Sequence, residues 1–180
     1  MKRFLASAWD VIEVVVVAFV VVFVVRSYIV QPFLVSGASM EPNFSNRDYL
    51  LIDELTYRFR EPTRGEVIVF QYPKNESVFF IKRIIGLPEE HVVIKNGAVF
   101  IGMGETTRRL EEPYISDLQI TSGFLNITLG PDQYLVLGDN RGNSLDSRSW
   151  GPVKRSEIVG LARMRILPIG DFNFFTVPQY

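Results

Sequence analysis

The chain has 180 residues, enough for one domain of ordinary size or two small lobes with an anchor. Its net charge of −1 gives no bulk electrostatic case for nucleic acid as a partner. The absence of cysteine excludes disulfides, thiolate catalysis and cysteine-ligated zinc, and one histidine among scattered carboxylates makes no metal site.

The first element is an apolar run from Phe4 to Val25. As a helix rising about 1.5 Å per residue it is long enough to cross a hydrocarbon core roughly 30 Å thick. Asp10 and Glu13 interrupt it, and Val14 to Val25 alone is too short. A span therefore includes the acids or extends into Ser27 to Val30. Valine disfavours helix slightly in water, but lipid forces the backbone to pair internally, so helix wins. Lys2 and Arg3 precede the run and Arg26 follows it, which predicts a cytoplasmic N-terminus. A cleaved signal peptide is the alternative, because Ser36-Gly37-Ala38 has the small-x-small form of a cleavage site. That tripeptide lies further from the apolar core than such sites usually do, which favours a retained anchor. The expected division is 1–3 cytoplasmic, 4–26 transmembrane and 27–180 an extracytoplasmic domain on the outer face of the plasma membrane.

From Ser27 onward the pattern is that of strands. Tyr49-Leu50-Leu51-Ile52, Val67-Ile68-Val69-Phe70, Val78 to Ile85 and Val92 to Lys95 are short, rich in β-branched or aromatic residues, and bounded by turn formers. Asn96-Gly97 predicts a tight hairpin into Ala98-Val99-Phe100-Ile101, since both turn residues tolerate positive φ. Gly102 to Gly130 is more polar and reads as a small β excursion over 102–130. Tyr134-Leu135-Val136-Leu137 and Ile158 to Leu167 complete the set. The fold class expected is mainly β, an antiparallel sheet. The tail Asp171-Phe172-Asn173-Phe174-Phe175 either packs on the last strand or meets the membrane surface, where aromatic rings settle.

Three segments could carry chemistry. Ser39, in Ser36-Gly37-Ala38-Ser39-Met40-Glu41-Pro42, is a weak signal alone, since such a serine usually caps a turn. Lys82 is weaker still alone, since lysines usually reach solvent. Its setting changes that. Strand alternation puts Phe80, Lys82 and Ile84 on one face, with Arg83 on the other. An apolar cover would desolvate the amine and lower its pKa. Reaching about 8 from a reference near 10.4 takes roughly 3 kcal/mol. The third segment, Gly138-Asp139-Asn140-Arg141 through Ser144-Leu145-Asp146-Ser147-Arg148, reads either as a capped turn with a local Asp146–Arg148 pair or as a loop that orients the lysine. His91, at a strand entrance after Leu87-Pro88, reads as an edge histidine.

Together with Arg64-Gly65-Glu66-Val67-Ile68-Val69-Phe70 and Phe80-Ile81-Lys82-Arg83-Ile84-Ile85-Gly86-Leu87-Pro88, these blocks resemble bacterial type I signal peptidase, the membrane-bound Ser/Lys leader peptidase. The resemblance covers most of the chain. It implies Ser39 as nucleophile, Lys82 as general base, a Ser144 hydroxyl holding the lysine amine, and Asp146 with Arg148 as a buried stiffening pair. The Ser39 N–H would be an oxyanion donor. The position two residues earlier, a serine in some relatives, is Gly37 here and offers no hydroxyl. Asn43 stands where a threonine is frequent, which affects local turn bonding. Phe33, Val35, Met40, Phe80 and Ile81 match residues lining two shallow apolar pockets for small side chains at the first and third positions before the cut. The implied substrate is the signal peptide of an exported preprotein, bound extended against exposed strands. No cofactor or metal is expected; the partners are that substrate and membrane lipid, with the chain a monomer. Two rival readings are a catalytically silent anchored β domain, which would lack the serine or lysine, and a self-cleaving repressor, which needs a DNA-binding module where this chain has its apolar run.

Overall fold

Strand burial orders the molecule. A computed structural model of the chain describes residues 2–28, 30–104, 106–116 and 119–178. The first element is helix α1, Lys2–Tyr28. The main sheet is built from β1 (Val30–Leu34), β2 (Tyr49–Asp53), β3 (Val67–Tyr72) and β4 (Asn75–Gly86). A small sheet follows, with β5 (His91–Lys95), β6 (Ala98–Met103), β7 (Thr106–Arg109) and β8 (Leu125–Thr128). The chain then returns through β9 (Gln133–Leu137), a short helix α2 (Ser147–Trp150), β10 (Val153–Lys154), β11 (Ile158–Leu167) and β12 (Asn173–Phe174).

The main sheet runs β1-β2-β11-β3-β4-β9-β10, with β12 added beside β11, and its pairs are antiparallel. β3 lies at its centre. Its first four residues are all buried, as the unbroken apolar run Val67–Phe70 requires of a strand covered on both faces. Alternation then separates two cores. Ile68, Phe70 and Ile84 pack with Tyr134, Val136 and Leu161 on one face. Val67 and Val69 pack with Met40, Phe44, Leu50 and Ile52 on the other.

The small sheet has the order β7-β6-β5-β8. Its hairpin turns at Asn96-Gly97, both at positive φ, as the sequence predicts. This sheet is wider than a 102–130 excursion, because β5 and β6 join it and leave the main sheet. The reason is packing: Val92, Ile94, Val99 and Ile101 share a third core with Ile85, Leu135 and Leu137, so the hairpin lies across the end of β4 and β9. The tail pairs β12 with β11 and stacks Phe175 on Phe44 at 4.3 Å, while Phe172 and Phe174 are exposed.

In α1, side chains are described for Trp9 and 11–23, and the apolar ones, from Val11 to Phe23, include no buried residue. Among the described residues no helix is long and apolar enough to cross a membrane. The side chains of Lys2, Arg3, Asp10 and Arg26, on which the orientation and span were reasoned, lie outside the described residues, as do those of Phe4 to Ala8 and Val24 to Val25.

Candidate active site

The serine loop leaves β1 and returns to β2. Its base is closed by Val35 N–H to Asp48 O and Arg47 N–H to Val35 O, both 2.9 Å. Gly37 has φ +104°, a conformation that strains a side-chain-bearing residue, and its N–H donates to Asn46 Oδ1 at 3.1 Å. Met40, 1% exposed, plunges into the core and pins Ser39 at the surface of the turn. Met40 was matched to a substrate pocket; the structure corrects this. An unbranched apolar side chain this buried packs against Phe44 and Leu50 and does not line the cleft.

Lys82 sits where β4 changes surroundings. On one side it stands opposite Ile68 of β3. On the other, β9 pairs only with Arg83 to Gly86, so the edge before Arg83 is open. Lys82 Nζ reaches across that edge to Ser39 Oγ at 2.6 Å and donates to its neighbour's carbonyl, Ile81 O, at 2.8 Å. It also lies 5.4 Å over the Phe80 ring. The side chain is buried, and Phe80 and Ile84 share its core-facing side as alternation predicts. Burial pushes its pKa down from 10.5 to about 8, against the opposing pull of the Asp146 and Asp139 charges.

The loop after β9 surrounds this pair. Asp139 takes Arg83 Nε at 2.8 Å and Nη2 at 2.6 Å, a bidentate buried ion pair. Arg83 Nη1 donates to Gly65 O at 2.8 Å. Asn43 Nδ2 donates to Asp139 Oδ2 and to Tyr114 O, both at 2.8 Å, so this half-buried asparagine bridges the two segments. Asn140 clamps the serine loop: its N–H reaches Ser39 O and its Nδ2 reaches Ala38 O, each at 3.0 Å. Gly138 permits that approach, because a Cβ there would lie 2.4 Å from Ser39 O and 2.2 Å from Ser144 Oγ. Arg141, fully buried, bonds Glu112, Thr121 and Gly138 O and keys the loop to the small sheet's connection.

Asp146 and Arg148 form the expected pair, Nε to Oδ1 and Nη2 to Oδ2, both 2.8 Å. Burial raises the Asp146 carboxyl, but the hydrogen bonds and charge of Arg148 outweigh it and hold the group below its usual value, with help from Ser144 and the Gly138 N–H. Ser144 differs from expectation. Lys82 bonds Ser39 and Ile81 and not Ser144. Ser144 Oγ is buried near Asp146 without a partner that satisfies hydrogen-bond geometry. Ser144 lies instead on the Asp146 side of the loop, where it helps hold that carboxylate below its usual value.

A cleft of about 260 Å³ opens at this pair. Phe33, Val35, Phe80 and Ile81 line it, with Ser39 and Lys82 at its floor. Leu145 and Asn143 also line it and were not expected. Phe33 meets Phe79 edge-on at 5.7 Å. Among the described residues the Ser39 N–H donates to no backbone carbonyl of the turn. His91 lies away from the cleft on β5, with Nε2 2.7 Å from Asn126 Oδ1. Sequence reasoning missed Asn43, Asp139 and Asn140 as organisers, although Asp139 and Asn140 stand in the loop it singled out.

A family model described as signal peptidase, peptidase S26, matches residues 8–167. The probable signal peptidase I-2 of Synechocystis sp. is 36% identical over 169 residues, 91% of this chain and 75% of that protein. Signal peptidase I P of Bacillus subtilis subsp. natto is 31% identical, over 93% of this chain and 94% of that protein. A crystal structure of a signal peptidase I from Enterococcus faecalis V583 has a TM-score of 0.48 and 30% identity, covering 57% of this chain and 97% of the other.

Proposed function

This chain belongs to the signal peptidase family, peptidase S26, a family of serine endopeptidases, and from that premise we propose that Ser39 and Lys82 form the dyad by which it removes signal peptides from exported preproteins. The observation that carries the reading is a buried amine 2.6 Å from a loop hydroxyl, with its pKa brought to about 8. Neutral Lys82 takes the Ser39 proton as Oγ attacks the scissile carbonyl carbon. The Ser39 N–H stabilises the oxyanion. The Lys82 ammonium then protonates the departing amine, and the C–N bond breaks. Lys82, neutral again, takes a proton from the water that attacks the acyl-enzyme, and its ammonium returns that proton to Ser39 Oγ as the ester C–O bond breaks. Asn140 holds the attacking residue in place, and Asp146 with Arg148 stiffens the loop opposite. Ser144 is a positioning hydroxyl that engages the amine when Lys82 turns from Ser39.

The substrate binds extended along the open edge of β4 before Arg83, where unpaired backbone groups can accept a strand. Phe33, Val35, Phe80 and Ile81 give the cleft its preference for small residues at the first and third positions before the cut. Residues 4–26 anchor the chain in the plasma membrane with 1–3 cytoplasmic and 27–180 outside. The support is that the described apolar side chains of α1, Trp9 and those from Val11 to Phe23, find no cover in the protein. The chain acts as a monomer and needs no cofactor. The test is cleavage of a signal-peptide substrate by the full-length chain beside Ser39→Ala and Lys82→Ala. Loss of turnover in both folded variants is expected. Near-normal turnover by either would refute the dyad.

A further inference from the structure

Phe80 lines the cleft beside Lys82, yet the groups that hold its ring lie behind it. Tyr72 stands 4.8 Å from it, Trp150 5.4 Å at a 30° tilt, and Phe70 6.4 Å edge-on. Tyr72 and Phe70 belong to β3, the adjoining strand. Trp150 comes from elsewhere, the end of α2, just after Asp146 and Arg148. It also meets Tyr72 at 5.1 Å and Phe70 at 6.5 Å, so it closes the cluster.

The indole Nε1 is buried and has no hydrogen-bond partner. An unpaired buried donor is a cost, so hydrogen bonding does not explain a tryptophan here. What the residue contributes is a large ring, tilted 30° to Phe80 and in a T-shaped contact with Tyr72. We propose that Trp150 is a positioning residue for specificity: it backs Phe80 and so fixes the cleft wall at a depth that admits only small side chains. This rests on the small-residue preference given above. Without the indole, the Phe80 ring has room to swing back toward α2. The cleft deepens, and larger side chains enter.

The test uses the full-length protein in detergent micelles with peptides carrying alanine or leucine at the first or third position before the cut. The quantity read is the alanine-to-leucine ratio of kcat/KM. In Trp150→Ala that ratio is expected to fall about tenfold or more at one of the two positions, the scale on which apolar pockets sort side chains by size. Turnover of the alanine peptide should be largely kept. Trp150→Phe retains a flat ring, removes the unpaired N–H, and should keep the wild-type ratio. If Trp150→Ala does not fold, Trp150→Leu removes the flat face and reads the same ratio. An unchanged ratio in a folded variant would overturn the inference, as would a Trp150→Phe ratio as low as that of Trp150→Ala. A wild-type protein with no preference for alanine would instead overturn the small-residue reading itself, and this inference with it.

Discussion

On the proposed dyad the reaction should be switched on by alkali, because a lysine base must lose a proton before it can accept one. Bringing its pKa from 10.5 to about 8 corresponds to about 3 kcal/mol of burial cost, at roughly 1.4 kcal/mol per pH unit. With a pKa of about 8 the neutral fraction is about 9% at pH 7 and about 91% at pH 9. The kcat/KM for a signal-peptide substrate should therefore rise about tenfold between these values, and chelators should not change it. The same burial has a consequence for stability, with a definite sign. Below pH 8 the amine is charged in both folded and unfolded chains, and the folded protein bears the full cost. Between about 8 and 10.5 the folded amine is neutral while the unfolded one still binds a proton, so the cost fades as pH rises. Lys82→Met should thus be inactive yet stabilised at pH 7, by at most about 3 kcal/mol, with the gain shrinking toward pH 10. Denaturant melts at the two pH values measure this. An activity limb near pH 6, or a Lys82→Met protein less stable than wild type at pH 7, would refute the desolvated-base argument.

Asp139→Asn should cost about 3–5 kcal/mol in a denaturant melt, because it leaves the buried Arg83 guanidinium without its counter-ion. Ser144→Ala should lower kcat and leave KM unchanged; a raised KM with normal kcat would make the loop a substrate contact. Protease added to intact spheroplasts should digest the domain after Ser27 while cytoplasmic proteins survive, and protection until lysis would reverse the proposed orientation.

β2, β3, β4, β5, β6, β9 and β11 were legible because each is a short alternating or continuous apolar run closed by turn residues, and Asn96-Gly97 marks its hairpin without help from the rest of the fold; β1, with Gln31 and Pro32 inside it, and the two-residue β10 and β12 were not. Sequence also placed Phe80, Lys82 and Ile84 on one face, since a pleat leaves no choice. Which sheet the hairpin joins was not legible. That depends on Val92, Ile94 and Val99 meeting Ile85 and Leu135, contacts set by the end of β4 and not by either strand's own pattern. The site's organisers were hidden for a similar reason. Arg83 and Asp139 are 56 residues apart, and Asn140 and Ala38 are 102 apart. No local spacing announces such pairs. Met40 was misplaced because a residue beside the serine looks like a wall of the cleft, whereas the turn sends it inward.

The pleat of β4 explains how a neutral lysine and a charged arginine can be neighbours. Lys82 faces Phe80 and Ile84, and Arg83 faces the opposite side, where Asp139 and the Gly65 carbonyl receive it. Two carboxylates, Asp146 and Asp139, pull the lysine toward its charged form. Left bare, they would oppose the burial that frees the amine. Each is instead met by its own arginine, Asp139 by Arg83 and Asp146 by Arg148, in two-point ion pairs. Burial remains the largest influence on Lys82 in spite of both carboxylates, which is the condition for a lysine to act as a base near pH 8.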